Sequence, residues 1–157
     1  MEKEYLLIAT RLSTIFLNKI LITLLMYVKA IPENCSGCMV CELVCTMKHF
    51  GVINRYKSGI RIERKSVTED IPHVCSQGNE CNYECIAACK YDAIEKGDDG
   101  VVRVIEEKCV GCRLCELACP LNAIHIHEKM AYKCDLCGGE PECVKYCSQN
   151  ALQLVEG

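Results

Sequence analysis

Apolar and polar positions alternate along residues 26–157 only in short bursts. Tyr27-Val28-Lys29-Ala30-Ile31 and Gly59-Ile60-Arg61-Ile62-Glu63 read as strands with one covered face. Ala93-Ile94-Glu95-Lys96 and Val101-Val102-Arg103-Val104-Ile105 flank Gly97-Asp98-Asp99-Gly100, a hairpin-turn composition. Ile124, Ile126 and Ala131 bracket a turn at Glu128-Lys129, and Leu152 and Leu154 alternate near the end. The stretches between these strands leave room only for short helices. The pattern predicts an α+β fold of short strands and short helices.

Residues 1–25 have a different texture, apolar and free of cysteine. The run from Leu12 to Val28 approaches the length of a bilayer span, but Asn18 and Lys19 interrupt its middle. Glu2, Glu4 and the lack of twin arginine argue against a secretory signal. The segment reads as an N-terminal extension, disordered or lying upstream of a true start at Met26. A partner-docking helix and a membrane anchor are the alternatives.

Cysteine changes the picture. The 157 residues include 16 Cys, no Trp and two Phe. Without cysteine the apolar share falls to about 40%, too thin a core to hold a chain of this size without staples. The cysteines form four groups: Cys35, Cys38, Cys41, Cys45; Cys75, Cys81, Cys85, Cys89; Cys109, Cys112, Cys115, Cys119; and Cys134, Cys137, Cys143, Cys147. Groups one and three share C-x-x-C-x-x-C-x-x-x-C, and CSGCMVCELVC and CVGCRLCELAC also share a Gly, a Glu and a Leu. A second repeat follows the last cysteine of three groups: CKYDAI, CPLNAI and CSQNAL. The repeating unit is a ligand loop, a short helix, a turn and a strand.

This spacing is the bacterial ferredoxin pattern, complete with its proline at Cys119-Pro120. Thiolates at i, i+3 and i+6 curl around one cubane, and small residues such as Gly37 and Gly111 let backbone N–H groups approach the sulfurs. The fourth cysteine sits on the following helix and ligates the neighbouring cluster. Thr46, Lys90 and Ser148 replace the proline in the other groups, which removes no ligand. Zinc needs two C-x-x-C knuckles and has no use for a third cysteine at i+6, repeated. A disulfide scaffold fits neither the tight clustering nor the absence of a signal.

Net charge is −3 with thiols neutral. Four cubanes at about −2 each would take it to roughly −11, which excludes a nucleic-acid binder. His49, His73, His125 and His127 are not expected as ligands, because sixteen cysteines complete four sites. His125 and His127 alternate with Ile124 and Ile126, as on a solvated strand face. Lys48, Arg113 and Lys133 are candidates for raising cluster potentials, against the plainer reading of solvated charges. The sequence has no glycine-rich nucleotide loop and no nucleophile–base arrangement apart from the cysteines, so no catalytic residue is expected.

CSGCMVCELVCTMKH, RIERK, IPHVC, CVGCRLCELACP and KCDLCGGEPECVKYC together resemble the four-cluster ferredoxin-type electron-transfer subunits of oxidoreductases. The resemblance spans about Met26 to Val155. It is nearest in character to the small iron–sulfur subunits of tungsten aldehyde oxidoreductases and of carbon monoxide dehydrogenase and hydrogenase systems.

The resemblance implies four 4Fe-4S clusters in two ferredoxin-like bicluster units. The inner unit covers about 72–127, and the outer unit 26–65 plus 128–157. The ligands are nested: Cys35, Cys38, Cys41 with Cys147; Cys134, Cys137, Cys143 with Cys45; Cys75, Cys81, Cys85 with Cys119; Cys109, Cys112, Cys115 with Cys89. Two tandem units, joining groups one with two and three with four, are the alternative. Group two departs from the family pattern, which would have a cysteine at Gly78 and not at Cys81.

The implied partners are a larger catalytic oxidoreductase subunit, of tungsten or molybdenum aldehyde-oxidising type first, and a second redox protein such as a ferredoxin or flavoprotein. Neither nucleic acid nor membrane is expected as a partner. Sixteen free thiolates point to a reducing cytoplasm and an anaerobic life. A free-standing polyferredoxin and a cluster-dependent sensor are the competing functions.

Overall fold

A computed structural model describes residues 26–157; the expected N-terminal extension, 1–25, lies outside them. Among the described residues, eight strands pair into four separate two-stranded antiparallel sheets. β1 (Met26–Ala30) pairs with β8 (Leu152–Glu156), so the two ends of the described chain meet. β2 (Ile60–Arg64) pairs with β3 (Asp70–Val74), β4 (Ile94–Lys96) with β5 (Val102–Val104), and β6 (His125–His127) with β7 (Met130–Tyr132). Glu128 and Lys129 both have positive φ, 49° and 63°, the two-residue turn whose twist suits a hairpin.

Among the described residues, four helices alternate with the strands: α1 (Val40–Phe50), α2 (Glu84–Ala88), α3 (Leu114–Ala118) and α4 (Glu142–Lys145). α1 is the longest because one face buries Cys41, Glu42, Cys45 and Thr46, at helical spacing, and Gly51 closes its end with an N–H bond to Met47 O.

The α+β expectation holds, and the predicted strands lie where alternation put them. β3 was not predicted. Its sequence, Asp-Ile-Pro-His-Val, contains a proline, which a two-stranded sheet tolerates because every strand is an edge.

The core is shared between aliphatic side chains and thiols. Val28, Ile60, Val74, Val101, Leu136 and Leu152 pack with Cys41, Cys45, Cys75, Cys134 and Cys143. Ile94, Val102, Ile124 and Ala131 pack with Cys85 and Cys115. Among the described residues, no helix is long and apolar enough to cross a membrane.

Candidate metal centres

The third cysteine of each group, Cys41, Cys85, Cys115 or Cys143, is the second residue of its helix and is buried. A left-handed residue precedes three of the helices: Met39, Tyr83 and Arg113, with φ of 62°, 59° and 68°. In two cases the preceding cysteine lines the same cavity as the helical one, Cys38 with Cys41 and Cys112 with Cys115.

The repeat after the fourth cysteine has an equally local cause. Asp92, Asn122 and Asn150 all have positive φ, 48°, 50° and 52°, a conformation that Asp and Asn tolerate better than other side chains. The turn buries the following Ala93, Ala123 and Ala151. In two cases it aims the alanine N–H at the cysteine sulfur, Ala93 to Cys89 at 3.3 Å and Ala123 to Cys119 at 3.4 Å. Further N–H groups reach sulfur from Gly59 to Cys45 (3.3 Å), Gln77 to Cys75 (3.4 Å) and Leu136 to Cys134 (3.5 Å).

The shared glutamate of groups one and three does one job twice. Glu42 accepts the N–H of Ile62 at 2.7 Å and also binds the Arg55 guanidinium. Glu116 accepts the N–H of Ile126 at 3.1 Å, with Arg113 at 3.4 Å. Each carboxylate ties a ligand-bearing helix to a strand from a later stretch of chain.

All sixteen cysteines are free thiols, and they gather across groups. Cys147 lines one cavity with Cys35, Cys38 and Cys41. Cys89 lines another with Cys109, Cys112 and Cys115. Burial raises the thiols of Cys81 and Cys85, and both also feel Cys75 and Cys119. Burial likewise raises Cys137 and Cys143, and both feel Cys45. Cys38 and Cys112 are the exposed thiols.

Burial pushes Cys41 up to about 12, and Cys85, Cys115 and Cys137 up to about 11. It pushes Cys134 and Cys143 further still. Such thiols become anions only against a strong positive centre, and iron is one. The donor set therefore fits iron–sulfur clusters: soft sulfur ligands in fours, with N–H groups aimed at several of the sulfurs.

Two expectations about single residues need correction. His125 is not on a solvated face. It is buried, its Nε2 lies 3.0 Å from Tyr56 O, its ring stacks on Tyr132, and burial lowers its pKa. Lys133 is not a solvated charge but is 8% exposed. His49 lies at the edge of one thiol set, its Nε2 3.4 Å from Cys137 Sγ and 3.3 Å from Asp135. Sequence reading also missed Gln77, a buried amide that donates to Cys134 O at 2.8 Å and accepts from Val102 N at 2.9 Å.

Comparison with known proteins agrees with this chemistry. Residues 73–126 match the 4Fe-4S dicluster domain family. The chain is 39% identical over 132 residues to the polyferredoxin-like subunit of aliphatic sulfonate oxidoreductase from Pyrococcus furiosus, covering 80% of this chain and 75% of that one. It is also 39% identical over 128 residues to an uncharacterized ferredoxin of Methanocaldococcus jannaschii, covering 78% and 68%. Among solved structures, it is 25% identical to a chain of the active-site complex BamBC of benzoyl coenzyme A reductase, with a TM-score of 0.47 and coverage of 84% and 77%. With its cysteine loops, N–H donors and shared glutamates in place, this chain belongs to the family of 4Fe-4S ferredoxin-type, polyferredoxin-like subunits of oxidoreductases.

Proposed function

We propose that this chain is the non-catalytic electron-transfer subunit of a cytoplasmic oxidoreductase complex and holds four 4Fe-4S clusters in the nested scheme. The ligand sets are Cys35, Cys38, Cys41 and Cys147; Cys134, Cys137, Cys143 and Cys45; Cys75, Cys81, Cys85 and Cys119; and Cys109, Cys112, Cys115 and Cys89. The observation that carries the reading is the gathering of each late cysteine with an earlier or later triplet, above all Cys147 with Cys35, Cys38 and Cys41. Tandem units would not bring these four together. The same gathering favours an outer unit of 26–65 plus 128–157 closed by the β1–β8 ladder around an inner unit of 72–127.

A bound cubane supplies reversible one-electron redox chemistry. The chain's own contribution is to fix the thiolates, stabilise them with N–H donors and keep water from the buried sulfurs. Cys38 and Cys112, the exposed thiols, favour the Cys35 and Cys109 sets as the ends that face redox partners. One partner is a larger catalytic subunit, and the other a ferredoxin or flavoprotein. The name of the Pyrococcus relative supports an oxidoreductase complex. A tungsten or molybdenum aldehyde oxidoreductase-type enzyme is the partner proposed first, and a nickel enzyme second, on the resemblance of the cysteine segments.

The test is a metal inventory of natively expressed protein purified without oxygen. About 16 Fe per chain is expected from four cubanes, with tungsten, molybdenum or nickel co-purifying in a larger subunit. Iron without a second metal or subunit favours a free polyferredoxin, and zinc in place of iron overturns the reading.

A further inference from the structure

Lys133 is buried, yet among the described residues no carboxylate lies within 4.0 Å of its ammonium. Its Nζ donates instead to two carbonyl oxygens, Val102 O and Cys134 O, the second at 2.8 Å. A buried ammonium without an anion is costly, because carbonyl dipoles replace only part of its lost hydration. Asp135 and Glu106 line the same cavity without forming an ion pair with it, and the other groups nearby that can become anions are thiols. Its charge pulls down Cys85, a member of the third-listed nested set, and Cys134, of the second; burial outweighs that pull in both. Gln77 joins the two sets, its backbone N–H on Cys75 Sγ at 3.4 Å and its amide on Cys134 O at 2.8 Å, and Lys133 donates to that same carbonyl at their junction. Gln77 fastens the same junction, joining Val102 N to Cys134 O. The exposed thiols, Cys38 and Cys112, belong to the other two sets.

We infer that Lys133 is a fixed internal counter-charge shared by the Cys134 and Cys75 sets, which holds the reduction potentials of the clusters bound there above the values they would have without it. A positive charge favours the reduced state because reduction adds one negative charge to a site already anionic. The two carbonyl acceptors fix the ammonium in place, and its burial spares the interaction from screening by salt. This rests on the reading that the sixteen cysteines hold cubanes.

The test uses the full chain, prepared without oxygen, and three variants: Lys133→Met, Lys133→Gln and Lys133→Arg. Gln keeps an N–H donor for the carbonyls and loses the charge; Arg keeps the charge. Potentiometric titration followed by electron paramagnetic resonance reads each cluster. In Met and Gln, the reduced-to-oxidised ratio of at least one cluster is expected to fall tenfold or more at fixed potential, about 59 mV for one electron. The Arg variant should stay near the parent. Unchanged potentials in Met and Gln at full iron content overturn the inference. If Met and Gln lose iron and Arg keeps it, the counter-charge is upheld by iron content. Loss in all three, Arg included, assigns Lys133 a packing role and overturns it. Failure of the underlying cluster reading is distinct, since the parent chain itself would then lack about 16 Fe.

Discussion

In the loop of Cys134, Leu136 and Cys137 both have positive φ, 61° and 51°, and Cys137 enters the thiol set. In the loop of Cys75, Gln77 and Gly78 repeat that left-handed pair, at 55° and 96°, but position 78 carries no cysteine. A Cβ built on Gly78 would lie 2.1 Å from Cζ of Tyr83, so the tyrosine ring fills the place of the missing side chain. The Cys75 loop carries a tether in that turn, with Gln77 tied to Cys134 O and Val102 N. In the proposed scheme the sulfur ligand comes three residues on, from Cys81. The backbone turn thus recurs in both loops while the side chain it presents differs.

The largest effect that would break this comparison is loss of a cluster. Cys81→Ala is expected to lower the iron content from about 16 to about 12 per chain, one cubane, by anaerobic iron analysis. Adding Gly78→Cys should not restore it while Tyr83 fills the space, and adding Tyr83→Ala as well should. Full iron in the Cys81→Ala chain would mean that Cys81 is not the displaced ligand.

A second pair sharpens the contrast between depth and motif. Glu42 and Glu116 occupy the same place in CELVC and CELAC, but the Glu42 side chain is 2% exposed and that of Glu116 is 26%. Glu42→Ala leaves the N–H of Ile62 unpaired in the interior and is expected to cost about 2–3 kcal/mol, against about 1 kcal/mol for Glu116→Ala, whose strand N–H can find water. Anaerobic thermal unfolding by circular dichroism checks the ranking. Equal losses would mean that the repeat, and not burial, sets the worth of the bond.

Much of this was legible in the sequence because it is local. The strands follow from alternation, and the cysteine groups from spacing. The Asp/Asn-Ala repeat has a cause confined to one turn, the left-handed φ of Asp92, Asn122 and Asn150. What stayed hidden depends on contacts far apart in the chain. Nothing near Cys147 signals that β8 will pair with β1 and carry it toward Cys35. His125 alternates as a solvent-facing residue would, yet the turn at Arg55–Lys57 covers it, through Tyr56 O. Lys133 precedes a cysteine and reads as a surface cation until Val102 is brought over it. The helical anchor Glu42 was visible only as a repeated letter, since its partner Ile62 lies twenty residues away.

The smallest effect separates the thiols by depth, through pH. In the iron-free chain the folded values of these thiols lie above the ordinary 9.0, because burial penalises the thiolate. The folded form then holds protons that the unfolded form has released, so the stability contribution is complete below pH 9 and declines as pH rises. The decline should run through about 11, where Cys85, Cys115 and Cys137 ionise, then about 12 with Cys41, and continue beyond it with Cys134 and Cys143. Circular dichroism of iron-free protein between pH 8 and pH 12 reads the slope, and alkylation of Cys41 should lag that of Cys85. In the loaded chain iron already holds the thiolates, so the alkaline slope should vanish and sensitivity should move to acid, where protons compete with iron for sulfur. An iron-free chain that gained stability between pH 9 and 11 would mean that the thiols are not buried as described.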